Sequence, residues 1–283
     1  MPATLVHDVL LELIEHLHDD PHSLYCWIQT SRFWRIRITP ILWRMPFIHL
    51  HQLKYKESSC RALIRTYVSC LTRTQRKYYI KRNILSQNEA LPTVNYGQYI
   101  DRLDDHIIVG VLVGTGWFSS YASRLNIFDA LLKLFVTSSQ RLTHISLTES
   151  YVNPWRSCFF PRTLTSLKLN ISTYFYQLAM KTIRLQQALE ELTLLHGRGD
   201  ILQLYYDFVE PQKESLKKIT FIECGISDAY ISRAEFNKKV PPKLTELRFE
   251  RCSELDVEIL ENMLSGRMEL KEEEENVFVF LGH

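Results

Sequence analysis

Histidine and cysteine are the side chains in this 283-residue chain that could hold a metal or attack a substrate. His16, His18 and His22 lie close together, as do His49 and His51. A zinc site needs three or four convergent ligands, and His16 and His18, two positions apart, cannot share a helix face. Cys26, Cys60, Cys70, Cys158, Cys224 and Cys252 are spread along the chain without a CxxC pair. They read as free thiols of an intracellular protein rather than as a metal centre or a disulfide framework. Gly110, Gly114 and Gly116 in VGVLVGTGW lack the Lys-Ser/Thr of a phosphate loop and the spacing of a dinucleotide fingerprint, so they read as a turn. Spacing assembles no nucleophile, base and oxyanion donors. The expectation is a non-catalytic protein with no metal and no cofactor.

Binding chemistry is the remaining option. Arg73, Arg76, Lys77, Lys81 and Arg82 crowd around Tyr78 and Tyr79, a mixture that nucleic acid can use. The net charge is only +2, which gives no push toward nucleic acid or an anionic membrane, and the stretch reads as a solvated helix face. Gly197-Arg198-Gly199-Asp200 reads as a loop before a helix, and the sequon at Asn170 has no secretory context. In MPATLVHDVLLELIEHLHDD, His7, Asp8, Glu12 and Glu15 interrupt the apolar positions. The expectation is therefore no secretory signal and no membrane-spanning stretch, with cytosol or nucleus as the compartment.

Helices must carry the first fifty residues. Val6, Val9, Leu10, Leu13, Ile14 and Leu17 form one apolar helix face. Asp20 before Pro21 is an N-cap followed by proline at the first helical position, which predicts a second helix over about 21–29. A third is predicted from Ser31 to Ile38, ending before Pro40. Three short helices bury too little alone and need cover from elsewhere. Farther on, residues 58–71 have helical spacing with Ser58 or Ser59 as cap, and 86–96 read as a loop.

The leading helices resemble the F-box. The matching residues are Leu5-Val6-His7-Asp8-Val9-Leu10, then Ile14 and Leu17, Leu24, Thr30-Ser31-Arg32-Phe33-Trp34, and Leu42-Trp43. Val6 stands where the family usually has Pro, which removes a preset backbone angle, and Thr30 stands where it usually has Val. The resemblance implies a trihelical module that docks on the small Skp-type adaptor of a cullin–RING ubiquitin ligase. It carries adaptor contact over to Leu5, Asp8, Val9, Leu10, Ile14, Leu24, Leu42 and Trp43.

The second half repeats. A Leu-x-x-Leu-x-Leu pattern, with substitutions, starts at Leu142, Leu164, Leu189, Leu216 and Leu244, in the step range of leucine-rich repeats. Helical stretches are expected near 126–136, 174–185, 201–209 and 255–264, with a weaker one at 228–236. Strand then helix, repeated, makes a parallel sheet with helices outside, each unit burying its apolar face on the next. Cys224 and Cys252 each follow the first Leu of their unit by eight residues, which resembles the cysteine-containing class of repeat, often joined to an F-box. Both fit inert packing in a tight bend.

Side chains alternate across a strand, so residues flanking the middle anchor face outward. Lys168, Lys218, Glu246, Arg248 and Glu250 become a charged rim for a target, and Leu195 and Ile222 an apolar patch within it. Glu272 to Glu275 read as a solvated acidic turn, and Val277 to Leu281 as a cap on the last repeat.

The expected fold is α+β: a trihelical F-box at residues 1–47, a helical junction over 48–115 with room for an irregular first repeat, and a leucine-rich-repeat solenoid with a curved parallel sheet over 116–283. The expected role is substrate adaptor of the ligase, its partners the Skp-type adaptor and a protein target. The alternative is a repeat scaffold that no longer docks on the ligase.

Overall fold

The computed structural model describes the chain apart from residues 1–8, 10, 11, 13, 15, 18, 19, 53, 88–90, 149–159, 173–175, 201–203, 228–239, 275 and 283. It is a mixed α/β protein with a sheet dominated by parallel strands. The chain forms two compact units: residues 1–103 with 107–142, and residues 104–106 with 143–283.

The first unit is helical. Val9, Glu12, Ile14 and His16 have helical backbone, followed by α1 (Pro21–Thr30), α2 (Arg32–Leu42), α3 (Pro46–Gln52), α4 (Glu57–Ser69) and α5 (Arg73–Lys81). A short strand, β1 (Arg102–Asp104), then precedes α6 (Asp105–Gly114) and α7 (Tyr121–Ser138). Asp20 caps α1 by accepting from Ser23 N at 3.1 Å, with Pro21 in the first turn. Ser31 caps α2 by accepting from Trp34 N at 3.3 Å.

Helix α2 does not stop before Pro40 but runs through it to Leu42. The missing N–H forfeits one bond, yet Ile41 and Leu42 beyond it pack on the module's core, and Trp43 N still bonds Thr39 O at 3.1 Å. Helix α4 begins at Lys56 rather than at a serine cap: the N–H groups of Ser59 and Cys60 both bond Lys56 O, and Glu57 favours the positive end of the helix. Gly110 and Gly114 lie inside α6 and only Gly116 (φ 67°) makes a turn. The two helical glycines admit Tyr55: a Cβ at Gly110 would sit 2.5 Å from its hydroxyl, and one at Gly114 would sit 3.2 Å from its Cβ. An aromatic group of Trp43, Phe47, Tyr67 and Phe135 fills the centre, with Tyr67 stacked on Phe47 and edge-on to Phe135 at 4.8 Å.

The second unit carries the sheet. Strands β2 (His144–Leu147), β3 (Ser166–Asn170), β4 (Glu191–Leu195), β6 (Lys218–Ile222) and β8 (Glu246–Glu250) lie side by side, parallel, in chain order. Their register stacks Ile145, Leu167, Leu192, Ile219 and Leu247 in one row, and Leu147, Leu169, Leu194, Phe221 and Phe249 in the next. Both rows are buried, as are Leu142, Leu164, Leu189, Leu216 and Leu244 before the strands. The pattern of period two thus becomes three buried columns. Helix α8 (Tyr176–Arg184) follows β3, a π-helical turn (Tyr205–Val209) lies between β4 and β6, and α9 (Val257–Leu264) follows β8. Buried Gln212 joins two of these connections, donating to Ile183 O at 2.8 Å and Gln186 O at 2.9 Å.

Two further segments differ from expectation. Arg198–Asp200 is a short strand, β5, rather than a loop, and pairs in parallel with β7 (Gly225–Ser227). Glu272 to Glu274 are strand rather than turn: they end β9 (Met268–Glu274), which pairs antiparallel with β10 (Val277–Gly282). Strand β10 lies antiparallel against β8, so this hairpin ends the sheet, and an edge strand tolerates a run of charge.

Candidate functional site

Two surfaces carry the candidate residues, one on each unit. On the helical unit, Ile14, Leu24 and Ile38 are wholly buried and form a small core of their own, with Leu17, Trp27, Ile28, Trp34, Ile41 and Leu42 packed around it. Ile14 and Leu24 therefore shape the module from within and offer no surface to a partner. Leu42 is half-buried on the same core, and Trp43 lies against Tyr96 (4.3 Å between rings) and Tyr67 (5.5 Å). Val9 is open to solvent, and Leu5, Asp8 and Leu10 lie outside the described residues.

The exposed apolar side chains are mostly others. Tyr25, Phe33 and Ile36 are 56%, 42% and 63% exposed. Phe33 and Ile36, three apart on α2, share a face, opposite the Trp34, Ile38 and Ile41 stripe that turns inward. Arg37 lies over the Phe33 ring at 5.6 Å. The signal was present in the sequence as a second apolar pair with helical spacing, set off the main stripe.

On the strand unit, the residues flanking the buried columns form rows of their own. One reads Glu191, Lys218, Glu246, and Lys218 pairs with Glu246 at 3.2 Å. The next reads Ser146, Lys168, Thr193, Thr220, Arg248, all half-buried. Arg248 pairs with Glu250 at 2.6 Å. Such partly solvated pairs contribute on the order of 0–1 kcal/mol each and serve selectivity more than stability. Lys168, Lys218, Glu246, Arg248 and Glu250 thus share one strand face. Leu195 does not belong to an apolar contact patch: it is only 8% exposed, whereas Ile222 beside it is half-buried.

The ladder continues one residue past the strands, where His196, Glu223 and Arg251 each adopt left-handed backbone (φ 55°, 53° and 51°). Their N–H groups bond Ile222 O, Glu250 O and Asn276 O. Glu223 is held from both sides, by His196 Nδ1 at 3.3 Å and an Arg251 guanidinium nitrogen at 2.8 Å. Just beyond, Cys224 Sγ accepts from Gly197 N at 3.3 Å. The Cys252 thiol beside it, together with burial, pushes the Cys224 thiol above its ordinary range. Among the described residues no group of three or more His, Cys, Asp or Glu is placed to hold a metal, and no helix is long and apolar enough to cross a membrane.

In comparisons with known proteins, no family model matches this chain and no curated protein is significantly similar to it.

Proposed function

We propose that the chain is the target-recognition subunit of an SCF-type cullin–RING ubiquitin ligase, working in cytosol or nucleus. In this reading residues 1–47 are an F-box that docks on a Skp-type adaptor, and the strand unit is a leucine-rich-repeat solenoid that holds a target protein. The subunit performs no chemistry. It raises the local concentration of target lysines near the charged ubiquitin carrier.

One observation supports this most: the N-terminal residues ordered like an F-box pack a three-residue core of their own while leaving Tyr25, Phe33 and Ile36 exposed. Large apolar side chains left outside a core, with Phe33 and Ile36 on one helix face, mark a surface that a partner covers. The test is co-purification of the full chain with a Skp-type adaptor. Stable co-purification is expected, lost on deleting residues 1–47 and weakened at least about tenfold by Ile36→Glu, which buries an unpaired charge in the contact. Failure of the unaltered chain to retain the adaptor overturns this reading. It leaves the repeat scaffold without ligase docking, which the loss of proline at Val6 favours.

A further inference from the structure

Where strands β3, β4 and β6 end, the strand unit contains a polar cavity of about 560 Å³ lined by Ser172, Tyr176, Gln177, His196, Arg198 and Glu223, with Ile171. Loops and helix starts converge at the carboxyl ends of parallel strands, which makes that edge the usual place for a ligand. Here the convergence has an identifiable cause. The left-handed turns after β4 and β6 set His196 and Glu223 side by side, and β5 then brings Arg198 into the same wall.

The charges in the wall are unequally engaged. Glu223 is already bound by His196 and Arg251. Tyr176 has committed its hydroxyl, which donates to Asp207 at 2.5 Å. Arg198 is exposed and, among the described residues, its guanidinium has no ion-pair partner. Ser172 and Gln177 add neutral polar groups to the lining. A cavity of this size for a small metabolite would be lined mostly by apolar side chains. Here every lining side chain except Ile171 carries a polar group, and the cavity opens to solvent, which suits a solvated peptide side chain.

We propose that this cavity binds a carboxylate side chain of an acidic peptide segment, with Arg198 as the fork that receives it. A planar guanidinium matches one carboxylate through two parallel hydrogen bonds. A phosphoryl dianion asks for more positive charge than one unengaged arginine beside a glutamate supplies. That the segment belongs to a ligase target rests on the function proposed above; the acidic-peptide site does not.

The experiment uses the full chain, immobilised, and three peptide pools of randomised flanks with glutamate, phosphoserine or serine fixed at the centre. The glutamate pool is expected to be retained about tenfold over the serine pool, the scale of a charge-assisted hydrogen bond. Arg198→Glu and the milder Arg198→Gln should remove that preference while leaving the circular-dichroism spectrum and adaptor co-purification unchanged. Equal retention of the glutamate and serine pools overturns the proposal. So does retention of the phosphoserine pool above the glutamate pool, or a glutamate preference that survives both substitutions. Loss of adaptor co-purification in the unaltered chain with the glutamate preference intact would instead overturn only the ligase reading.

Discussion

The helical module and the strand array solve the same problem at different scales. The module centres on three fully buried side chains, and large apolar groups of α1 and α2 remain in solvent. The array stacks three columns of anchors, and each strand covers its neighbour's apolar side. Repetition lets a small unit share its core with the next, whereas a single small bundle has too little interior to hide every apolar residue. The exposed apolar groups of the module are therefore informative about partners, and the buried ones of the array are informative only about folding.

Substitutions can break this contrast. Phe249 is wholly buried, stacked on Phe221 and edge-on to Phe280. Phe249→Ala is expected to cost about 3–5 kcal/mol in urea unfolding, whereas Ile36→Ala, an equally apolar loss, should stay within about 0.5 kcal/mol. Similar costs at both positions would mean that Ile36 is covered within the chain. A smaller effect concerns local order in the helical unit. Thr72 and Gln75 form a reciprocal capping box at the start of α5, with Thr72 Oγ1 accepting from Gln75 N. Thr72→Ala should cost about 0.5–2 kcal/mol; no loss would show that tertiary packing alone sets this helix start.

The smallest effect is a pH dependence at the entry to α1. Hydrogen bonds from Ser23, first from its hydroxyl and then from its backbone N–H, hold the Asp20 carboxyl below its ordinary value of 3.8. A carboxylate depressed on folding stabilises the fold above its unfolded pKa, and that contribution fades as pH falls from about 4 through the lowered value. A carbon-13 titration of Asp20 should give a midpoint below that of an unstructured aspartate. A midpoint at or above it would remove this cap from the account of α1.

The array was more legible than the rest because its signal is repeated. Each Leu-x-x-Leu-x-Leu segment predicts one strand with its burial, and the parallel register then follows from stacking equivalent anchors. Segments whose structure depends on a distant partner were not legible. Arg198–Asp200 becomes a strand because Gly225–Ser227 lies beside it, and Glu272 to Glu274 because β10 pairs with them. Gly110 and Gly114 read as a turn until Tyr55 is seen against the helix they belong to. For the binding surfaces, alternation placed Lys168, Lys218 and Arg248 on one face. It could not place His196 and Arg198 in one wall, since that depends on left-handed turns at residues other than glycine. Leu195 shows the reverse limit: a strand position that alternation turns outward is buried in the folded unit.

The direction of β10 has a consequence for how such a chain changes length. Strands β2, β3, β4, β6 and β8 all run the same way, so a further parallel strand fits between any two of them. Strand β10 runs the opposite way beside β8 and then folds back as β9. A duplicated unit spliced in between β2 and β8 would find a parallel neighbour on both sides. The same unit spliced in after Glu250 would have to displace the hairpin first, so variants with longer arrays should gain their extra units internally.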